Sequence, residues 1–163
     1  MYNNQFHYAF DAEFSGLPKE LSTEVTIFHF PTNYNTEGIK INAIWDTGAT
    51  NSSLSPKIAT NLGLNPIDTV FVRGVHDTKI ADVVIVSIGL SNGLCLTGKR
   101  FSVCEIPGAD VLIGMDIIML GDLAISNGDG KTRFSFVIPP FKNKASFTEK
   151  ADTINKRLSR RKQ

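Results

Sequence analysis

At 163 residues the chain fits one domain and leaves no room for two full ones. Its apolar fraction of 42% lets it bury a core without disulfides or a structural metal, and no apolar run approaches the roughly 20 residues that a membrane span needs. The net charge of +1 names no partner, but its distribution is uneven. Residues 141–163 hold eight Lys/Arg against two acids (+6), and residues 1–140 hold nine against fourteen (−5).

Residues 1–21 show no period from which an element can be read. Val25–Phe30 is strand-like and stops at Pro31. A polar turn over 31–38 precedes Ile39–Trp45, which alternates apolar and polar as a half-buried strand does and runs directly into Asp46. A short helix follows, with Ser55 as its cap, Pro56 in its first turn, Ile58, Ala59 and Leu62 at helical spacing, and Gly63 as its stop. Strands resume at 69–72, 82–88 and 100–104, with a turn-like stretch over 73–79. Asp110–Gly114 is a further strand leading into a second short helix over 115–120. Residues 123–126 and 132–137 flank Asn127-Gly128-Asp129-Gly130, a strong hairpin signal. Many short strands with one or two brief helices read as an all-β fold, a small closed or nearly closed β-barrel. The domain spans 22–140, and residues 141–163 read as a basic, flexible tail, solvated or a frayed helix.

Chemistry concentrates in Asp46-Thr47-Gly48. An Asp at a strand end, followed by a residue that can hydrogen-bond outward and by a glycine that allows close approach, suits a site in which two carboxylates share one proton. The tripeptide alone arises by chance in roughly a few per cent of chains this size, and Asp and Gly are ordinary turn residues. Its setting makes it more specific. It has the alternating strand before it, Ala49–Leu54 and a capped helix after it, and the apolar-apolar-Gly run Leu112-Ile113-Gly114 downstream.

Ile44–Thr50 taken with Val111–Asp116 resembles the retropepsin-like family, the single-domain aspartic proteases of retroviruses and their stand-alone cellular and bacterial relatives. The similarity spans roughly 22–139. The resemblance implies an acid-protease barrel and a homodimeric endopeptidase, with Asp46 catalytic and one copy contributed by each subunit. Thr47 and Gly48 would support the catalytic loop, and Leu112, Ile113 and Gly114 would pack beneath it. Ala49 would line the substrate cleft, together with Gly74, Val75 and His76 in a flap hairpin that has fewer glycines than viral flaps. It implies no cofactor and no metal, and a peptide or unfolded protein as substrate.

Other residues read more plainly. Asp116 suits a helix start and lacks an Asp-Thr/Ser-Gly context, as does Asp110. His76 reads as a solvated loop histidine, Trp45 as core, and Arg73 as either a substrate contact or a partner for an acid. Cys95 and Cys104 read as buried free thiols, and with no apolar leader near Met1 a reducing, cytoplasmic setting follows. Two other functions compete. One is a catalytically weak peptide-binding or dimerisation module on the same fold. The other, ranked last, is a nucleic-acid-binding barrel using the basic tail; no membrane partner is expected.

Overall fold

Period-two alternation becomes strand along most of the chain, in a computed structural model that describes residues 6–31, 37–73, 78–142 and 146–160. In order, the elements are β1 (Tyr8–Ser15), β2 (Ser22–His29), β3 (Ile39–Trp45), β4 (Ser53–Leu54), α1 (Pro56–Asn61), β5 (Asp68–Arg73) and β6 (Thr78–Gly89). They are followed by β7 (Cys95–Val103), β8 (Val111–Ile113), α2 (Met115–Ile118), β9 (Asp122–Gly128), β10 (Lys131–Ile138) and α3 (Phe147–Arg160).

Strands β2-β3-β8-β4-β7-β6 are neighbours in that order, and β2 also pairs with β6, through Ile27 opposite Ile88, so the sheet closes on itself. The result is a six-stranded barrel with β5 attached outside it, along β6 alone. Closure buries both termini of the ladder, which removes the edges an open sheet would expose. Inside lie Ile27, Leu54, Val86, Ile88, Phe101 and Ile113, all fully buried. Each such side chain contributes roughly 1.5–3 kcal/mol of hydrophobic stabilisation. A second sheet, ordered β1-β10-β9, shares this core through Phe134 and Phe136.

The short helix forms where its signals stand. The Ser55 hydroxyl accepts the Ile58 N–H at 3.4 Å, Pro56 opens α1, and Gly63 takes a φ of +61°. The β9–β10 turn is Asp129-Gly130 with φ of 51° and 72°, the double left-handed pair of a tight hairpin.

Three features depart from the sequence reading. First, β1 forms in the segment that showed no period. Phe10, Ala12 and Phe14 pack on the core, while Asp11 and Glu13 face outward to Ser135 and Arg133 of β10. The alternation is short, and its outward face is acidic, with the basic partners far away in the chain. Second, the basic tail contains α3, started by Ser146, whose hydroxyl accepts the Glu149 N–H. Third, Cys95 is exposed and Cys104 half-buried, because Cys95 is the first residue of β7 and Cys104 the first residue past its end; both are free. Trp45, by contrast, is core as expected, with 5% exposure.

Candidate active site

The site begins with how β3 ends. The Trp45 ring packs on Phe134 and Phe136 at centroid distances of 5.0 and 4.7 Å, and its Nε1–H donates to Thr23 Oγ1 at 2.9 Å. With its last residue pinned on both sides, the strand delivers Asp46 at a fixed point on the barrel rim. The Asp46 N–H still donates to Ile113 O at 2.9 Å, so the first residue past the strand keeps its register on β8. The chain then turns. The Gly48 N–H donates to Asp46 Oδ1 at 2.8 Å, and the Ala49 N–H donates to Asp46 O at 3.3 Å. This short-range bond orients the carboxylate, as Asp does in turns. Asp46 is half-buried, and Thr47 and Gly48 are exposed.

A second layer of bonds holds the loop from below. The Met115 N–H donates to Ala49 O at 2.8 Å, and the Asp116 N–H donates to Thr50 O at 3.1 Å. The Ser52 hydroxyl, fully buried, accepts the Gly114 N–H at 3.0 Å and donates to Asp116 Oδ1 at 2.7 Å. Asp116 Oδ1 also accepts the Ile117 N–H at 3.0 Å, in the first turn of α2. Gly114 is compulsory here. A Cβ at that position would lie 2.6 Å from Asn51 C and 2.9 Å from Ala49 O, both backbone atoms. The two motifs far apart in sequence are thus one construction.

Beside this loop runs a cleft of about 430 Å³. Gly48–Asn51 form one wall, Val70–Arg73 of β5 the opposite wall, and Cys104–Pro107 a third, with Leu112 at the base. Among the residues singled out from sequence, Asp46, Thr47, Gly48 and Ala49 come together with Leu112, Ile113 and Gly114. Leu112 is half-buried and reaches the cleft, while Ile113 and Gly114 are buried beneath the loop. Gly74, Val75 and His76 lie outside the described residues. Arg73 lines the cleft. Sequence reasoning missed the Cys104–Pro107 wall and Ser52. Ile106-Pro107-Gly108, a turn signal directly after a strand, was the available hint for the first. Nothing local marked Ser52, whose partners are distant in the chain.

Asp110 stands apart from this chemistry. The Ser55 hydroxyl at 2.7 Å, then Lys57 at 3.4 Å, hold its carboxyl below the usual range, and the aspartate ties α1 to the start of β8. Among the described residues no three His, Cys, Asp or Glu gather as a metal site, and no helix is long and apolar enough to cross a membrane.

Residues 32–119, more than half of the chain, match the family described as gag-polyprotein putative aspartyl protease. No curated protein matches the sequence. Among solved structures, the chain is similar to a retropepsin-like aspartic protease from Rickettsia conorii at 15% identity, covering 85% of this chain and 99% of that one, with a TM-score of 0.50. It is also similar to the EIAV protease complexed with the inhibitor HBY-793, at 24% identity over 63% of this chain and 88% of that one, TM-score 0.48. A third is the retroviral protease-like domain of Ddi1 from Leishmania major, at 21% identity over 64% and 79%, TM-score 0.47.

Proposed function

Because the chain belongs to the gag-polyprotein aspartyl protease family, we propose that it is an aspartic endopeptidase whose working site pairs Asp46 with Asp46 of a second copy. Asp-Thr-Gly occurs once in the sequence, so one chain holds half of such a site. The observation that carries the proposal is the placement of Asp46. Its carboxylate is oriented by the Gly48 N–H on a rim anchored from below, next to a cleft of about 430 Å³ whose lining begins at Gly48.

In this reading the two carboxylates share one proton. The charged one takes a proton from a bound water, the resulting hydroxide adds to the scissile carbonyl, and the neutral one gives its proton to the carbonyl oxygen. The tetrahedral intermediate then collapses as the amide nitrogen is protonated and leaves. Water is the nucleophile, and no acyl-enzyme forms. Thr47, exposed beside Asp46, would bond the facing loop of the second copy and hold the carboxylates in register. Ala49 and Val70–Arg73 would grip the peptide backbone and side chains, and the β5–β6 hairpin would close over it.

Incubating the purified protein with an unfolded protein at mildly acidic pH should yield new termini, and Asp46→Asn should cut the rate by at least about a hundredfold. That variant should still sediment as a dimer, as the wild type should. Equal cleavage by Asp46→Asn would sink the assignment. Binding of peptide by the wild-type protein with no new termini at any pH would leave the peptide-binding reading in its place.

A further inference from the structure

α3 is an amphipathic helix with an uncovered apolar stripe. Phe147, Ala151, Ile154 and Leu158 recur at spacings of four, three and four, and at about 100° per residue they fall within a band roughly 60° wide. None of its residues is buried: Phe147 is 75% exposed, Ile154 46% and Leu158 52%. A helix this short is marginal in water without an apolar partner; the second sheet approaches it at Phe147, which shares a cavity with Leu123, Ile125 and Phe141, while Ile154 and Leu158 stay about half exposed.

The charges around the stripe identify the partner. Lys150 and Arg157 project beside it, and no acid does. Glu149 and Asp152 lie toward the opposite face with Lys156 and Arg160, where the signs cancel in sum. The net charge of the helix is therefore positive and sits next to its apolar band. Self-association fits poorly, because pairing two copies through this stripe would bring Lys150 and Arg157 together without an acid between them, over only two heptads. Nucleic acid would satisfy the charge but leave Phe147, Ile154 and Leu158 in water. A layer that is apolar below and negative above satisfies both.

We propose that α3 is a peripheral anchor that lies in the surface of an anionic lipid bilayer, its apolar stripe in the acyl boundary and Lys150 and Arg157 at the headgroups. The rest of the basic segment, +4 from Lys142, Lys144, Arg161 and Lys162, adds attraction, while the −5 of residues 1–140 keeps the body off the surface. The helix adsorbs and does not span. The site at Asp46 plays no part in this reading.

The test uses the full chain and vesicle sedimentation, with phosphatidylcholine alone and with about three parts in ten phosphatidylserine. The protein should partition onto the second and not the first, and should be released as salt is raised. Lys150→Gln with Arg157→Gln should lower the partition coefficient about fivefold per residue. Ile154→Ser with Leu158→Ser should lower it by tenfold or more. These side chains are exposed, so the barrel stays folded in every variant, and Asp46→Asn should bind vesicles as the wild type does. Absence of binding to anionic vesicles would overturn the proposal, whether or not the protein then binds RNA or an acidic protein. So would binding that Ile154→Ser with Leu158→Ser leaves unchanged, since that would be adsorption by charge alone.

Discussion

The Asp46–Asn51 loop and the outer half of the β5–β6 hairpin face each other across the same cleft, yet they are held in opposite ways. The loop rests on a buried base: Ile113, Gly114, Met115 and Asp116 each bond to it or to Ser52 through the backbone, and Ser52 closes the network from inside. Apart from the Arg100–Asp68 bond of 2.6 Å at its base, the hairpin is secured on one side only. Among the described residues β5 pairs with β6 alone, and toward the outer end Phe71 of β5 and Ile80 of β6, directly opposite each other in register, are 75% and 68% exposed. A site that must hold two carboxylates in place needs the first kind of support, and one that must admit and release a chain needs the second. The same barrel supplies both, because β6 is barrel wall along its inner half and one strand of the outer hairpin along the rest.

The largest effect expected from breaking the anchored side comes from Gly114→Ala. The new methyl would press on Asn51 C, Asn51 O and Ala49 O at 2.6, 2.7 and 2.9 Å, and backbone atoms cannot swing aside. Overpacking of this kind costs about 3 kcal/mol, which lowers Tm by about 6–12 °C for a chain of this length. Cleavage should fall with it, since what moves is the loop that carries Asp46. A variant that melts with the wild type would show that the loop does not depend on this base.

Smaller, but on the same side, is Ser52→Ala. It leaves the Gly114 N–H without its buried acceptor and removes a donor from Asp116, a loss of about 1–2 kcal/mol. Asp116→Asn, which can keep an oxygen facing Ser52, should cost less. If the two variants melt alike, the bond to Asp116 and not the Gly114 contact holds the loop.

How much of this could be read beforehand follows the same division. Elements whose signal is local were legible: the alternation of Ile39–Trp45, the Ser55–Pro56 helix start, the Asp129-Gly130 turn and the run ending at Gly114. The helix start at Ser146 was equally local, with Glu149 three residues on, but the density of charge around it drew the reading toward a solvated tail. What could not be read were contacts made by closure. Ser52 reads as one serine among several until β4 lies beside β8, and Cys104–Pro107 become a cleft wall only when β7 pairs with β4. β1 was hidden because its outward face is acidic, and the basic partners that explain it, Arg133 and Lys131, lie at the other end of the domain.

The smallest expected effect on stability, and the sharpest separation of the two sides, comes from Phe71→Ser. The ring is three-quarters exposed and paired only across the hairpin, so its loss should change stability by no more than about 0.5 kcal/mol. It nevertheless lines the cleft, whereas Ile80 opposite it does not. A bound peptide that covers about half of the ring would gain about 1.4 kcal/mol, so Phe71→Ser should weaken peptide binding about tenfold. Ile80→Ser should leave binding within about twofold at the same unchanged Tm. The informative readout is therefore the ratio of the two effects within each variant: large on Tm and activity together for Gly114, large on binding alone for Phe71. If Phe71→Ser instead lowered Tm by several degrees with binding intact, the hairpin would be part of the scaffold, and closure over the cleft would have to come from another element.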